Sequence, residues 1–344
     1  MTRFLPGLFV LFVLFISCTD EFDLISDEVN IADGYQKTIV AYANFSPSNE
    51  YHYIRVNRGF SAEDFYAGAN NQDSIQFAPD EVNVKVFRIR NNDTIKTYIA
   101  RDTIIEKPES EYFNTGNVIL YYFREPNLLG NITSGIIKLG LEVEVAGEVA
   151  YSQTTPIKDF NFNFPPLLST FDIAYEEERF RVEINKPDNS QAYKVVGIGR
   201  YREIVNVNGD YDTTLREFTF SVGDAYETQP SNGGIKVFYQ SCGVFYDAIE
   251  RDVLQNGDTV NAIKRKFVDV AYHATAGNSD LALAQLTGNA YTGFSDNQTT
   301  VSNMSNGLGL FSSYNEAQTR YYILSTPTLD SIITLYESKY KFTR

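Results

Sequence analysis

From residue 37 onward the chain alternates apolar and polar positions with period two over many short runs. KTIVAYANF (37–45), YHYIRVN (51–57), EVNVKVFRIR (81–90), DTIKTYIARDTII (93–105), NVILYYF (117–123) and IIKLGLEVEVAGEVAYSQT (136–154) are rich in β-branched and aromatic residues. Side chains on a strand point alternately to opposite faces, so this pattern predicts half-buried strands. In the run 81–90, Val82, Val84, Val86 and Arg88 fall on one face and Asn83, Lys85, Phe87 and Ile89 on the other. Asn91-Asn92-Asp93-Thr94 reads as a hairpin turn into the next strand. Short strands punctuated this way predict an immunoglobulin-like β-sandwich over 36–155.

The rhythm breaks at TPIKDFNFNFPPLL, where three prolines and no helical period mark a linker over 156–168. Strands resume at 178–187, 192–222, 235–241, 264–275 and 320–326. Asn208-Gly209 suits a hairpin tip, because glycine tolerates positive φ. The segment 169–344 therefore reads as a second β-rich domain with one or two short helices. The clear one lies near 243–255, where Val244, Phe245, Ala248, Ile249 and Val253 recur at helical spacing and Asn256-Gly257 supplies a stop. The run 279–286 fits a short helix or an irregular strand equally well. The fold class is mainly β.

Residues 1–17 carry a different signal. Arg3 precedes an apolar stretch from Phe4 to Ile16, the length of a signal peptide's apolar region. Ser17 then stands before Cys18, an arrangement that resembles a lipoprotein signal in which the cysteine thiol is acylated; an ordinary secreted leader is the alternative. Residues 18–35 read as an acidic tether.

Composition narrows the function. The chain of 344 residues carries a net charge of −15, which opposes nucleic-acid binding, since phosphate neutralisation needs an excess of Lys and Arg. It has 24 Tyr and 25 Phe but no Trp, the ring that sugars most often stack on. The second cysteine, Cys242, has no partner for an internal disulfide and reads as a buried small hydrophobe. No HExxH, CxxC, GxSxG or P-loop occurs, and Gly197-Ile198-Gly199 lacks the third glycine of a dinucleotide fingerprint. No catalytic residue, metal ligand or cofactor is assigned, and a non-catalytic role is expected.

Six Asp-Ser/Thr-apolar triplets place hydroxyls at Ser74, Thr94, Thr103, Thr213, Thr259 and Ser331. The triplet resembles the O-glycosylation acceptor of Bacteroidota envelope proteins. Asp-Thr at a turn also satisfies the backbone locally, so the same residues have a structural reading.

Two stretches carry a wider resemblance. Thr19-Asp20-Glu21-Phe22-Asp23, directly after Cys18, is similar to the acidic surface-export signal of Flavobacteriia lipoproteins. The stretch 301–313 contains Asn303, then Asn306, Gly307, Gly309 and Phe311. It resembles the N-x-x-N-G-x-G-x-F signature of an uncharacterised Bacteroidota lipoprotein family. The resemblance implies a lipid-anchored protein of the outer membrane facing the cell exterior, with a TonB-dependent transporter barrel as partner. In this sequence Asn306, Gly307, Gly309 and Phe311 read as structural: a turn, a close backbone approach and a core ring. An adhesive or structural surface scaffold is the alternative function, and a surface hydrolase using paired carboxylates is a third.

Overall fold

The computed structural model describes residues 38–59, 76–106, 117–130, 136–173, 178–289 and 301–344. These form a mainly β protein of three sheets and three helices. The N-terminal strands are β1 (Ile39–Phe45), β2 (Tyr51–Arg58), β3 (Val82–Arg90), β4 (Asp93–Ile99), β5 (Arg101–Ile105), β6 (Val118–Arg124), β7 (Ile137–Val145) and β8 (Glu148–Thr154). One sheet runs in the order β1-β2-β6-β5 and the facing one β4-β3-β7-β8. The first is the ABED order of an immunoglobulin-type sandwich, and β3-β7-β8 is its CFG sheet with β4 added beside β3. The inner faces supply one core: Ala41, Phe45, Ile54, Val56, Tyr121 and Phe123 meet Val84, Val86, Leu141 and Val143.

Local sequence explains the turns. Asn91 and Asn92 both take positive φ (50° and 73°), closing the β3–β4 hairpin as the Asn-Asn-Asp-Thr stretch predicts. The single run 93–105 splits at Ala100, whose N–H donates to the Val84 carbonyl (3.0 Å), so that β4 and β5 join different sheets. Arg88 stays on the inner face and donates from Nη1 to the Asn127 and Leu128 carbonyls (3.3 and 3.2 Å), closing that end of the sandwich.

The second half holds β9 (Phe162–Phe164), β10 (Arg179–Asn185), β11 (Ala192–Val207), β12 (Asp210–Tyr226), β13 (Ile235–Ser241), β14 (Ala262–Gly277) and β15 (Leu308–Gln318). Its helices are α1 (Gly243–Asn256), α2 (Ser279–Asn289) and α3 (Thr326–Tyr340). The segment 156–168, expected as a linker, contains β9 paired to β10 and the fully buried Ile157. The run 320–326 is not a strand; Tyr322 and Leu324 make only isolated bridges to Val270 and Phe171.

The α1 prediction matches in place and face, with Phe245, Ala248, Ile249 and Val253 all buried. Its Gly257 stop works through space rather than φ (−78°), because a Cβ there would lie 2.6 Å from the Val253 carbonyl oxygen. The run 279–286 is helical: Asn278 Oδ1 accepts from the Leu281 N–H (3.1 Å) at the start of α2. Gly197 and Gly199 of β11 lie under the Phe220 and Phe218 rings, which occupy the space a side chain would need. That is their reason for being glycine.

β15 unites the two halves. Its residues 308–313 pair in parallel with β1, and residues 314–318 pair antiparallel with β14. The result is one eight-stranded sheet, β12-β11-β14-β15-β1-β2-β6-β5. Buried polar groups seal the join. Ser313 Oγ donates to the Phe45 carbonyl (2.9 Å) and accepts from the Ile157 N–H (3.1 Å), while Asn315 donates to Asp159 Oδ1 (2.9 Å).

Candidate functional site

Cross-strand partners in a sheet share a face, so register decides which side chains gather there. In the sandwich's ABED sheet Tyr53 lies opposite Tyr122, Tyr51 opposite Arg124, Tyr122 opposite Arg101, and Tyr42 opposite Arg55. Since Tyr51, Tyr53 and Arg55 alternate along β2, all of these project from the outer face, away from the core. Tyr42, Tyr51 and Tyr53 are 44%, 43% and 48% exposed. The Tyr51 and Tyr53 rings lie 6.3 and 6.1 Å from the Tyr122 ring, forming one tilted platform.

The charges around this platform have few local partners. Arg124 is held by Glu50 (Nε–Oε1 2.5 Å) at the end of the face. Among the described residues, Arg55 makes one side-chain hydrogen bond, to Asn57 Oδ1 (3.2 Å), and the exposed Arg101 makes none. On a chain of net charge −15, three arginines against one glutamate make a local reversal of sign. A face of phenol rings and guanidinium groups, of which Arg101 has no side-chain partner among the described residues, can stack, donate and attract anions. Tyr and Arg are also the residues that dominate binding hot spots.

The predicted site residues do not converge on it. Cys18, Thr19, Asp20, Glu21, Phe22, Asp23 and Ser74 lie outside the described residues. Thr94, Thr213 and Thr259 are exposed, while Thr103 and Ser331 are half-buried, and the five sit on separate elements. The local reading of these triplets is visible at Asp258, whose Oδ1 accepts from the Val260 and Asn261 N–H groups (2.9 and 2.7 Å). These bonds favour its ionised form and hold its carboxyl below the usual range.

Asn306, Gly307, Gly309 and Phe311 do come together, at the bend entering β15. Asn303 precedes them and pairs through its side chain like a strand residue: Oδ1 accepts from the Phe311 N–H (2.9 Å) and Nδ2 donates to its carbonyl (2.8 Å). Asn306 takes φ +53°. A Cβ on Gly307 would lie 2.8 Å from the Ile39 carbonyl oxygen. Phe311 is fully buried in the sandwich core against Phe45 (centroids 5.3 Å). The stretch builds the parallel β1–β15 pairing.

The buried carboxylates are likewise engaged. Glu203, fully buried, accepts from Arg265 Nη2 (2.6 Å) and Arg216 Nη2 (2.8 Å), and Arg265 in turn donates to the Tyr340 and Asp258 carbonyls (2.6 and 2.9 Å). Asp252 accepts from the Tyr201 hydroxyl and from Asn256 (both 2.7 Å). Burial raises the Asp280 carboxyl above its ordinary value, against hydrogen bonds from Thr154 (3.0 Å) and Asn278 (3.3 Å). Each of these groups ties elements together. Two open depressions lie elsewhere, along Asp247, Arg251 and Leu254 of α1 and beside Asp159 and Lys186.

No protein-family model matches the chain, and no curated protein matches it. The fold therefore defines the class by itself: a β protein in which an immunoglobulin-type sandwich is completed by a strand from the C-terminal half.

Proposed function

We propose that the protein is a non-catalytic, lipid-anchored binding protein of the outer bacterial surface, acting as an accessory to an outer-membrane transporter barrel. The observation that carries the binding role is the tyrosine and arginine face of the ABED sheet. It combines exposed tyrosine rings with a local excess of arginine on an acidic chain, which suits recognition of an anionic partner. The anchor and surface location rest on Cys18 and the acidic stretch Thr19–Asp23, and the transporter partner on the family resemblance at 301–313.

The test is purification of the full-length chain from gently solubilised outer membranes. Co-migration with a large barrel, lost in Tyr53→Ala and Arg101→Gln, is expected. Recovery of the lipoprotein alone, or of a complex indifferent to both substitutions, would count against this reading. Protease accessibility on intact cells, with a Cys18→Ala chain as the unanchored comparison, checks the location separately.

A further inference from the structure

We infer that the tyrosine and arginine face takes an anionic polysaccharide, one whose sugar rings carry carboxylate or sulfate groups. This deepens the binding role proposed above and rests on it.

Every occupant of a sheet face meets a backbone that is already spent: β2 is paired with β1 on one side and β6 on the other. An extended peptide lying there would bury its own N–H and C=O groups with no main-chain partner, a cost on the order of a lost hydrogen bond each. Peptides avoid this by adding to a sheet edge. A sugar chain has no such debt. Its ring C–H faces can rest on Tyr51, Tyr53 and Tyr122 while its hydroxyls, around the ring edges, stay in water.

Charge selects among sugars. Arg55 and Arg101 flank the platform from β2 and β5 with no acid opposing them in register, whereas Arg124 is already paired with Glu50. A guanidinium presents a planar fork that matches a carboxylate or sulfate with two parallel hydrogen bonds. A neutral glycan would leave these forks unused. The chain's net charge of −15 repels polyanions overall, so any polyanion that binds must be held by a local patch.

The experiment uses the full chain in affinity electrophoresis and calorimetry with three probes: polygalacturonate, dextran sulfate and the neutral glucan pullulan. Binding to at least one polyanion, weakening as salt is added and absent for pullulan, is expected. Preference between the two polyanions tells a carboxylate ligand from a sulfate one. Arg101→Gln and Tyr53→Ala should each weaken binding on the order of tenfold, while Arg179→Gln on β10 leaves it unchanged. All of these side chains are exposed, so unchanged thermal transitions check that the variants fold.

Failure to bind either polyanion overturns the inference. So does polyanion binding that ignores Tyr53→Ala and Arg101→Gln, or pullulan binding of equal strength. If polyanion binding is nil while the barrel still co-purifies and is lost in Arg101→Gln, the face takes an acidic protein surface. That result overturns the polysaccharide and leaves the accessory role standing.

Discussion

Gly309 is the tightest point of the join between the two halves, and Gly309→Ala tests the join directly. The residue takes φ +123°, a conformation that L side chains rarely adopt, which costs an alanine about 1–2 kcal/mol. Its Cβ would also fall within the Ala41 carbonyl, 2.7 Å from the carbonyl carbon and 2.9 Å from the Ala41 nitrogen. The obstacle is backbone hydrogen-bonded within the sheet, so it cannot rotate away, and overpacking of this kind adds about 1–3 kcal/mol. The sum, about 2–5 kcal/mol, is a large part of the 5–15 kcal/mol typical of a folded domain. Gly147→Ala is the control, because Gly147 has φ +87° and nothing within 4 Å of its would-be Cβ. Urea unfolding followed by fluorescence and circular dichroism gives both values. Gly309→Ala is expected to exceed Gly147→Ala by at least about 1 kcal/mol, the low end of the overpacking cost. Equal losses would refute the claim that β15 is wedged against β1.

Three further outcomes follow from buried groups. Glu203→Ala strands Arg265 and Arg216 without their carboxylate and is expected to cost about 3–5 kcal/mol in the same assay; a loss under about 1 kcal/mol would mean the pair contributes little beyond a surface contact. Burial lowers the His52 pKa below 6.5 despite the opposing bond to the Glu125 carbonyl (3.0 Å), so the folded state takes up its proton later than the unfolded one. Stability from this residue is therefore full above pH 6.5, declines as pH falls toward the folded pKa and is level below it. His52→Phe, which keeps the ring against Phe45 and Phe123, should flatten the difference in stability between neutral and mildly acid buffer; an unchanged slope would assign it to other groups. Burial pushes the Cys242 thiol up to about 11, so a thiol reagent at neutral pH should label it only as fast as the protein opens. Labelling of native protein at the rate of a free thiol would contradict its burial.

The parts of this fold written in short-range pattern were legible. Alternation marked the stretches that hold β1 to β8 but not the break at Ala100 between β4 and β5, the paired asparagines marked a hairpin, and helical spacing of Phe245, Ala248, Ile249 and Val253 marked α1. The helix α3 was missed although Ser325 caps it (accepting from the Thr328 N–H, 3.2 Å) and Thr328, Ile332, Tyr336 and Tyr340 recur every fourth position on its buried side. The segment was assigned no element: its aromatic and β-branched residues have weak helix preference, and Ile332, Tyr336 and Tyr340 pack into the second core. The tyrosine and arginine face was half legible. Tyr51-x-Tyr53-x-Arg55 shows the alternation, but Tyr42, Tyr122, Arg101 and Arg124 reach the same face only through register. Register across strands distant in sequence leaves no local trace, and the same holds for the pairing of β15 with β1.

That pairing also sets when the protein becomes whole. The Ser313 hydroxyl meets the Phe45 carbonyl across 268 positions, so the sandwich begun by the first strand waits for nearly the last tenth of the chain. Until β15 arrives, the far edge of β1 offers unpaired N–H and C=O groups to any strand that passes. Closing so long a loop is slow, because its entropy is lost before the contacts return it. The last edge of the sandwich, and the Phe311 ring in its core, are thus supplied from the far end of the chain.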